Sequence, residues 1–429
     1  MPTFTEDLRF RGVIHQVTDE SILPKLDRGG VSAYIGFDPT ARSLHMGNLV
    51  QLVTLRRLQL AGNRPIVVAG GGTGLIGDPG GRSDERALLS EAELAGNVAA
   101  VREQLVKFLD FSEDAGPAAA ILVDNATWLK KLALIDFLRD VGKHFTVNQM
   151  IAKESVRSRL DRADGGISYT EFSYMLLQAY DFYRLHVDHG CEVQLGGSDQ
   201  WGNITLAVEL VRKLTGDQAF GITTPLLTKA DGTKLGKSTL TNEHVWLDRE
   251  MTSPYLLYQY LVNLDDESVG MMLRMLTFLD HDEILELEAK TVSDPASRAA
   301  QRRLAYELVS FVHSEGDAKA AVAASAALFD ESLRDLDRAT LEAVTAEVPS
   351  TTLARGGFGE AMSVVELLTA TGVCASLGEA RRAISQGGVY VNNLRVTEPD
   401  AVVSAKDLLF DRYVLLRRGK RNPHLVVAG

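Results

Sequence analysis

The stretch 34–48, YIGFDPTARSLHMGN, constrains the chain most. Val31, Ala33 and Ile35 read as a short apolar strand that breaks at Gly36, and Pro39 stiffens the turn after it. Ser43 is the expected N-cap of a helix opening near His45. Gly47 then falls inside the first turn, where glycine costs about 1 kcal/mol relative to alanine, so something flat is expected to lie against its backbone. His45 and Asn48 are i, i+3 neighbours on one face. They stand at a helix start, where unpaired N–H groups and the macrodipole favour anions. Strand, tight turn and helix start with two donors make a phosphate site. The same residues also read as an ordinary βα unit with a surface histidine.

At 429 residues the chain has room for two or three domains. Its 45% apolar and 24% charged residues are those of a globular protein. No apolar run reaches membrane-spanning length, and the opening MPTFTEDLRFRG lacks a secretory core. Cys191 and Cys374 stand far apart without metal-ligand spacing, which suggests a reducing compartment, taken as the cytoplasm, and no disulfide framework; no carboxylate cage marks a protein metal site either. A net charge of −12 argues against a surface that binds nucleic acid throughout. From Ser363 onward, however, nine Lys/Arg face six Asp/Glu, so that end is the candidate for a polyanion.

Taken in order, residues 1–30 read as a helical preamble, and a helix runs from His45 to Gly62. IVVAGG then reads as a buried parallel strand. The glycines of GGTGLIGDPGG match GxGxxG at Gly72, Gly74 and Gly77. That fingerprint needs a helix opening on the third glycine, and Asp78-Pro79-Gly80-Gly81 would not allow one. A long loop carrying Arg82 and Arg86 is expected instead, ending at a helix capped by Ser90 with Glu93. The arginines could swing onto a triphosphate or be solvated loop charge. AAILVDN is a further strand, and 128–163 reads as a helical insertion suited to a dimer surface.

On the helix from about Thr170 to Leu185, Tyr174, Gln178 and Asp181 fall at i, i+4 and i+7 and form one polar stripe. It is either a satisfied core network or a pocket wall for a ligand with polar and aromatic parts. VQLGGSDQWGN repeats the strand–glycine–helix pattern, with Gly196 and Gly197 for close approach and Asp199 as an acceptor for ribose hydroxyls. Lys234, Lys237 and Ser238 follow on a Gly-rich loop, either a phosphate clamp or an exposed hairpin. The expected fold is therefore α/β, with a Rossmann-like parallel-sheet domain over 1–243. An all-helical domain (244–348), a linker (349–362) and a small α+β module (363–429) complete it.

HMGN at 45–48 with KLGKS at 234–238 resembles the paired signatures of class I aminoacyl-tRNA synthetases. YIGFDPTARSLHMGN, FSYMLLQAYD, QLGGSDQWGN and KADGTKLGKS together resemble the bacterial tyrosyl-tRNA synthetases, and SLGEARRAISQGGVYVNNLRV resembles their S4-like RNA-binding module. The resemblance covers nearly the whole chain. It implies that Tyr34 and Asp181 hold a tyrosine hydroxyl. Asp78, Tyr174 and Gln178 would hold the ammonium group, with Gln200 near the carboxylate. Gly36, Asp38, Gly47, Gly197 and Asp199 would line the adenosine side. Thr40, His45, Asn48, Lys234, Lys237 and Ser238 would act on the ATP phosphates, with Arg82 and Arg86 nearby. Asn48 departs from the signature, which has a second His there. The implied partners are L-tyrosine, ATP with its Mg²⁺, tRNA(Tyr) and a second copy of the chain, with no membrane.

The chemistry suits these residues. A carboxylate attacking the α-phosphate of ATP is already ionised and needs no general base, so positioning and charge stabilisation suffice. A tryptophanyl-tRNA synthetase shares this architecture, and a non-enzymatic RNA-binding descendant is a further reading. Tyr34 with Asp181 argues against the first, and intact His45, Lys234 and Lys237 against the second.

Overall fold

In the computed structural model, strands β1 (Gln16–Val17), β2 (Ser32–Phe37), β3 (Arg64–Ala69), β4 (Ile121–Asp124), β5 (Val193–Gly197) and β6 (Phe220–Thr224) form one sheet. Their order is β1-β6-β5-β2-β3-β4. Only the β1–β6 edge pairing is antiparallel. The chain grows outward from β2 through β3 to β4, then returns to the other side of β2 for β5 and β6. Strand order therefore reverses between β2 and β5, and in such sheets ligands bind beyond the carboxyl ends at that point. The structure describes residues 2–78, 89–160, 166–228, 244–327, 333, 338–345, 348–359, 361–419 and 422–429. Arg82, Arg86, Lys234, Lys237 and Ser238 lie outside the described residues.

Both sheet faces are covered, which is why β3 is a continuous apolar run. Tyr34, Ile66 and Val68 pack with Met175, Ala179 and Phe182 of the helix Tyr169–His189 and with Leu206 and Leu210 of the helix Trp201–Thr215. Ala69 packs with Leu94 and Val98 of the helix Glu91–Phe108. No helix opens on Gly77: it takes φ +82°, and the next described helix begins after Ser90, whose hydroxyl and Glu93 cap each other reciprocally. The insertion after β4 is a string of short helices, and Leu134 and Ile135 stand 68% and 70% exposed on it.

The chain divides into two compact units, and the division differs from the one expected. Residues 263–312 cluster with 1–252, whereas 253–262 cluster with 313–429. Two buried arginines explain the first grouping. Arg57, on the helix Leu49–Leu60, donates to the carbonyls of Met275, Arg274 and Thr277. Arg11 donates to those of Arg274, Thr277 and Leu279. Both guanidiniums cap the carbonyl-rich end of the helix Asp266–Leu276, where a cation is favoured. That end is thereby fastened to the N-terminal segment and to the helix Leu49–Leu60.

In the second unit the helix Pro254–Val262 packs on the helix Glu315–Ala327. Its main sheet uses β7 (Ser350–Leu353), β9 (Val389–Val391), β10 (Leu394–Val396), β12 (Tyr413–Arg418) and β13 (Asn422–Ala428); β8 (Met362–Ser363) and β11 (Val402–Val403) form a small ribbon. The expected linker 349–362 thus contains β7, which pairs in parallel with β13. Leu341 and Val348 join Leu415 and Leu425 in one buried cluster, and Tyr413 Oη donates to Glu342 at 2.6 Å. Among the described residues no helix is long and apolar enough to cross a membrane.

Candidate active site

A cleft of about 390 Å³ opens at the β2/β5 switch point and is lined by residues from the ends of both strands, among them Tyr34, Gly36, Asp38, Gly196, Gly197 and Asp199. Thr40, His45, Gly47, Asn48, Asp78, Tyr174, Gln178, Asp181 and Gln200 line it too. The structure thus brings together every described residue of the expected site. Leu226, Leu227 and His244 are also in the wall, so both described ends flanking 229–243 border the cleft.

His45 itself, not Ser43, is the N-cap. It precedes one 3₁₀ turn, Met46–Asn48, that leads into the helix Leu49–Leu60. Gly47 N–H donates to His45 Nδ1 at 3.1 Å, and Asn48 Oδ1 accepts from His45 N–H at 3.0 Å. The flat group against Gly47 is therefore the chain's own imidazole: a Cβ there would sit 2.9 Å from His45 Cε1. Ser43 instead braces the turn, since its hydroxyl accepts from Gln104 Nε2 and from Asp248 N–H.

At the closed end, Asp181 is buried with both carboxylate oxygens held. Asn125 Nδ2 donates to Oδ2 at 2.8 Å and Trp128 Nε1 to Oδ1 at 2.7 Å. Burial pushes its pKa up to about 7; the two bonds oppose the shift, and the charges of Asp38 and Asp124 add to it. Tyr34 is 3% exposed, and among the described residues its hydroxyl has no partner. Burial, then the Asp181 charge, holds that phenol well above its usual pKa, so it stays protonated. An orphaned buried hydroxyl beside a buried carboxylate is a costly arrangement that a ligand hydroxyl would satisfy.

Further along the wall, Tyr174 Oη donates to Asp38 Oδ2 at 2.8 Å and Thr73 Oγ1 to Asp38 Oδ1 at 2.7 Å. Asn125 Nδ2 also reaches Thr73 Oγ1 at 2.9 Å, which links the two aspartates through one chain of bonds. An amide ladder completes the floor. Gln200 donates to Asp78, Gln178 Nε2 to Gln200 Oε1 at 3.2 Å, and Asn203 Nδ2 to Gln178 Oε1 at 3.0 Å. Four carboxylates, Asp38, Asp78, Asp181 and Asp199, share this cleft, which suits a ligand bearing a cationic group.

Sequence reasoning missed Asn125, Trp128, Thr73 and Asn203. Asn125 follows β4 at the carboxyl end of a parallel strand, a position that could have flagged it, whereas Trp128 reads as an apolar member of the insertion. Gln51 and Gln194 were missed as well. Both line the cleft, and their Oε1 atoms are buried without a partner among the described residues. Among the described residues no cluster of three or more His, Cys, Asp or Glu is arranged to hold a metal ion.

Residues 27–330 match the family model of class I tRNA synthetases (W and Y), and 340–426 match the tyrosine--tRNA ligase SYY-like C-terminal domain. The tyrosine--tRNA ligase of Roseiflexus castenholzii is 49% identical, with 99% of each chain covered. That of Rhodopirellula baltica is 50% identical over 97% of this chain and 94% of its own. A C-terminally truncated mitochondrial tyrosyl-tRNA synthetase from Aspergillus nidulans is 33% identical, with a TM-score of 0.66 over 75% of this chain and 92% of its own. A tryptophanyl-tRNA synthetase from Plasmodium falciparum shares the fold alone, at 15% identity, a TM-score of 0.53, and coverage of 79% of this chain and 87% of its own. Matched over nearly its full length by ligases of one specificity, the chain belongs to the tyrosine--tRNA ligases of the class I tRNA synthetase family.

Proposed function

We propose that this cleft joins L-tyrosine to ATP as tyrosyl-adenylate, releasing pyrophosphate, and that the tyrosyl group then passes to the 3′ end of tRNA(Tyr). The observation that carries this reading is the Tyr34–Asp181 pair. A phenol hydroxyl arriving at the closed end donates to Asp181 and accepts from Tyr34, so all three groups are satisfied. Asp78, Tyr174 and Gln178 face the ammonium group, and Gln200 stands near the carboxylate. Gly36, Asp38, Gly47, Gly197 and Asp199 border the adenosine, and the Oε1 atoms of Gln51 and Gln194 offer further acceptors in the cleft.

In the adenylation step an oxygen of the tyrosine carboxylate bonds to the α-phosphorus, and the bond from that phosphorus to the bridging oxygen breaks. The electron pair leaves with pyrophosphate and no proton moves. The protein's task is to hold the two reactants in line and to stabilise charge on the departing phosphates. Thr40 and His45 do this from the described wall, with the Asn48 amide braced on His45. Lys234, Lys237, Ser238, Arg82 and Arg86 are proposed for the same phosphates. Mg²⁺ travels with ATP, and no protein residue is assigned to it.

The exposed apolar residues Leu134, Ile135, Leu138, Val147 and Ile151 of the insertion support a homodimer through that surface. Aminoacylated tRNA is consumed at ribosomes, which supports a cytoplasmic location. Exchange of labelled pyrophosphate into ATP is the test. Tyrosine-dependent exchange is expected, and exchange with no amino acid, or with tryptophan alone, contradicts the reading.

A further inference from the structure

Immediately after the second signature segment the chain returns to the first one. Met46 N–H donates to Val245 O at 2.8 Å and Leu247 N–H to Leu44 O at 2.9 Å, with His45 and Trp246 opposite each other as an antiparallel bridge. This pairing lays the His244 ring on the His45 ring, with centroids 4.8 Å apart and planes 18° from parallel. Trp246 closes the group, 5.4 Å from His244 and 6.2 Å from His45. Both histidines line the cleft, as do Thr40, Gly47 and Asn48.

Packing alone does not call for an imidazole at 244. An apolar ring would stack on His45 as well, at a lower desolvation cost. His45 Nδ1 accepts from Gly47 N–H, which makes Nε2 the ring nitrogen that can carry a donor proton.

We propose that His244 contacts the nucleotide: with His45 it forms an imidazole pair that donates to the triphosphate oxygens, where negative charge collects as pyrophosphate departs. The proposal rests on the adenylation reading above. No bond to His244 forms or breaks; its part is to hold a donor against developing charge.

The test compares His244→Phe, which keeps a stacking ring without its N–H donor, with His244→Ala, which removes both, and with His244→Gln, which restores a donor. Tyrosine-dependent exchange and single-turnover adenylate formation are measured over a range of ATP, with tyrosine binding as the check on folding. The expected result is a loss of about tenfold in the adenylation rate constant for Phe and Ala alike, smaller than that of an enclosed oxyanion donor because the cleft is open. The KM for tyrosine should not move, and His244→Gln should recover part of the loss. A His244→Phe enzyme at the wild-type rate overturns the proposal, whether or not His244→Ala is impaired, and makes the ring a packing element. Absence of exchange in the wild type would instead sink the adenylation reading, and this proposal with it.

Discussion

Trp128 and Asp181 meet through one short hydrogen bond, the indole N–H donating to Asp181 Oδ1 at 2.7 Å. Asn125 takes the other oxygen, so the carboxylate is fixed before any ligand arrives. Preorganisation of this kind spares the ordering cost at the moment of binding. It also leaves Asp181 buried and easily protonated, and the pH dependence follows from that.

Burial raises the Asp181 pKa from 3.8 to about 7. Its ionised form is the acceptor that a tyrosine hydroxyl needs, so tyrosine kcat/KM should fall as pH drops through about 7. Phenylalanine has no hydroxyl to donate and is better tolerated beside the neutral acid. Its kcat/KM should hold or rise over the same range. Kinetics with both amino acids from pH 5.5 to 8 check this; parallel profiles would place the titration elsewhere. Stability runs the opposite way to tyrosine turnover. A raised carboxyl pKa contributes stability at low pH that is lost as pH rises through about 7.

His45→Ala should lower the turnover of adenylate formation by about a hundredfold, the scale of one preorganised donor to developing charge. The KM for tyrosine should stay within about twofold, because the ring serves phosphates whose charge shifts only in the transition state. A raised tyrosine KM at unchanged kcat would put His45 in the wrong part of the cleft.

Arg57→Ala should destabilise the first unit by about 2–4 kcal/mol, since Met275 O then loses its guanidinium donor and the helix end one of its two arginine caps. Urea unfolding, with tyrosine fluorescence and circular dichroism as probes, measures it. A change under about 0.5 kcal/mol would mean that water replaces the guanidinium without loss.

Removing 363–429 should leave adenylate formation nearly intact, because the cleft lies in the first unit, while tRNA charging collapses. The cut also strips β13 from β7 and uncovers Leu341 and Val348, so the remainder of the second unit should melt at lower temperature. Charging by the full chain should weaken with added salt as phosphate contacts release counterions. Truncation that abolishes pyrophosphate exchange would make the module part of the active site.

Much of this was legible in the sequence because it rests on local patterns. The apolar run of β3, the Ser90–Glu93 cap and the i, i+4, i+7 stripe of Tyr174, Gln178 and Asp181 are each set by residues close in the chain. What stayed hidden depends on distant contacts. Trp128 reads as an apolar helix residue until the fold sets Asp181 against its indole. Nothing local marks Arg57 for the carbonyls of Arg274, Met275 and Thr277, and those contacts group 263–312 with the first unit. Ser43 is the better N-cap by residue type, and only the engagement of its hydroxyl by Gln104 and Asp248 leaves the cap to His45. The parallel β7–β13 pairing joins residues 75 apart, such as Ser350 and Leu425, beyond any local pattern.

The central claim is that Tyr34 and Asp181 read the hydroxyl. With phenylalanine bound, both would be buried without their bond, at a cost of about 1–3 kcal/mol for each group. The direct measurement is kcat/KM for tyrosine and for phenylalanine in the wild type and in Asp181→Ala. The expected result is a strong loss for tyrosine with little change for phenylalanine, so that the ratio between them narrows. If both fall together and the ratio is unchanged, Asp181 holds the helix Tyr169–His189 in place and does not read the substrate.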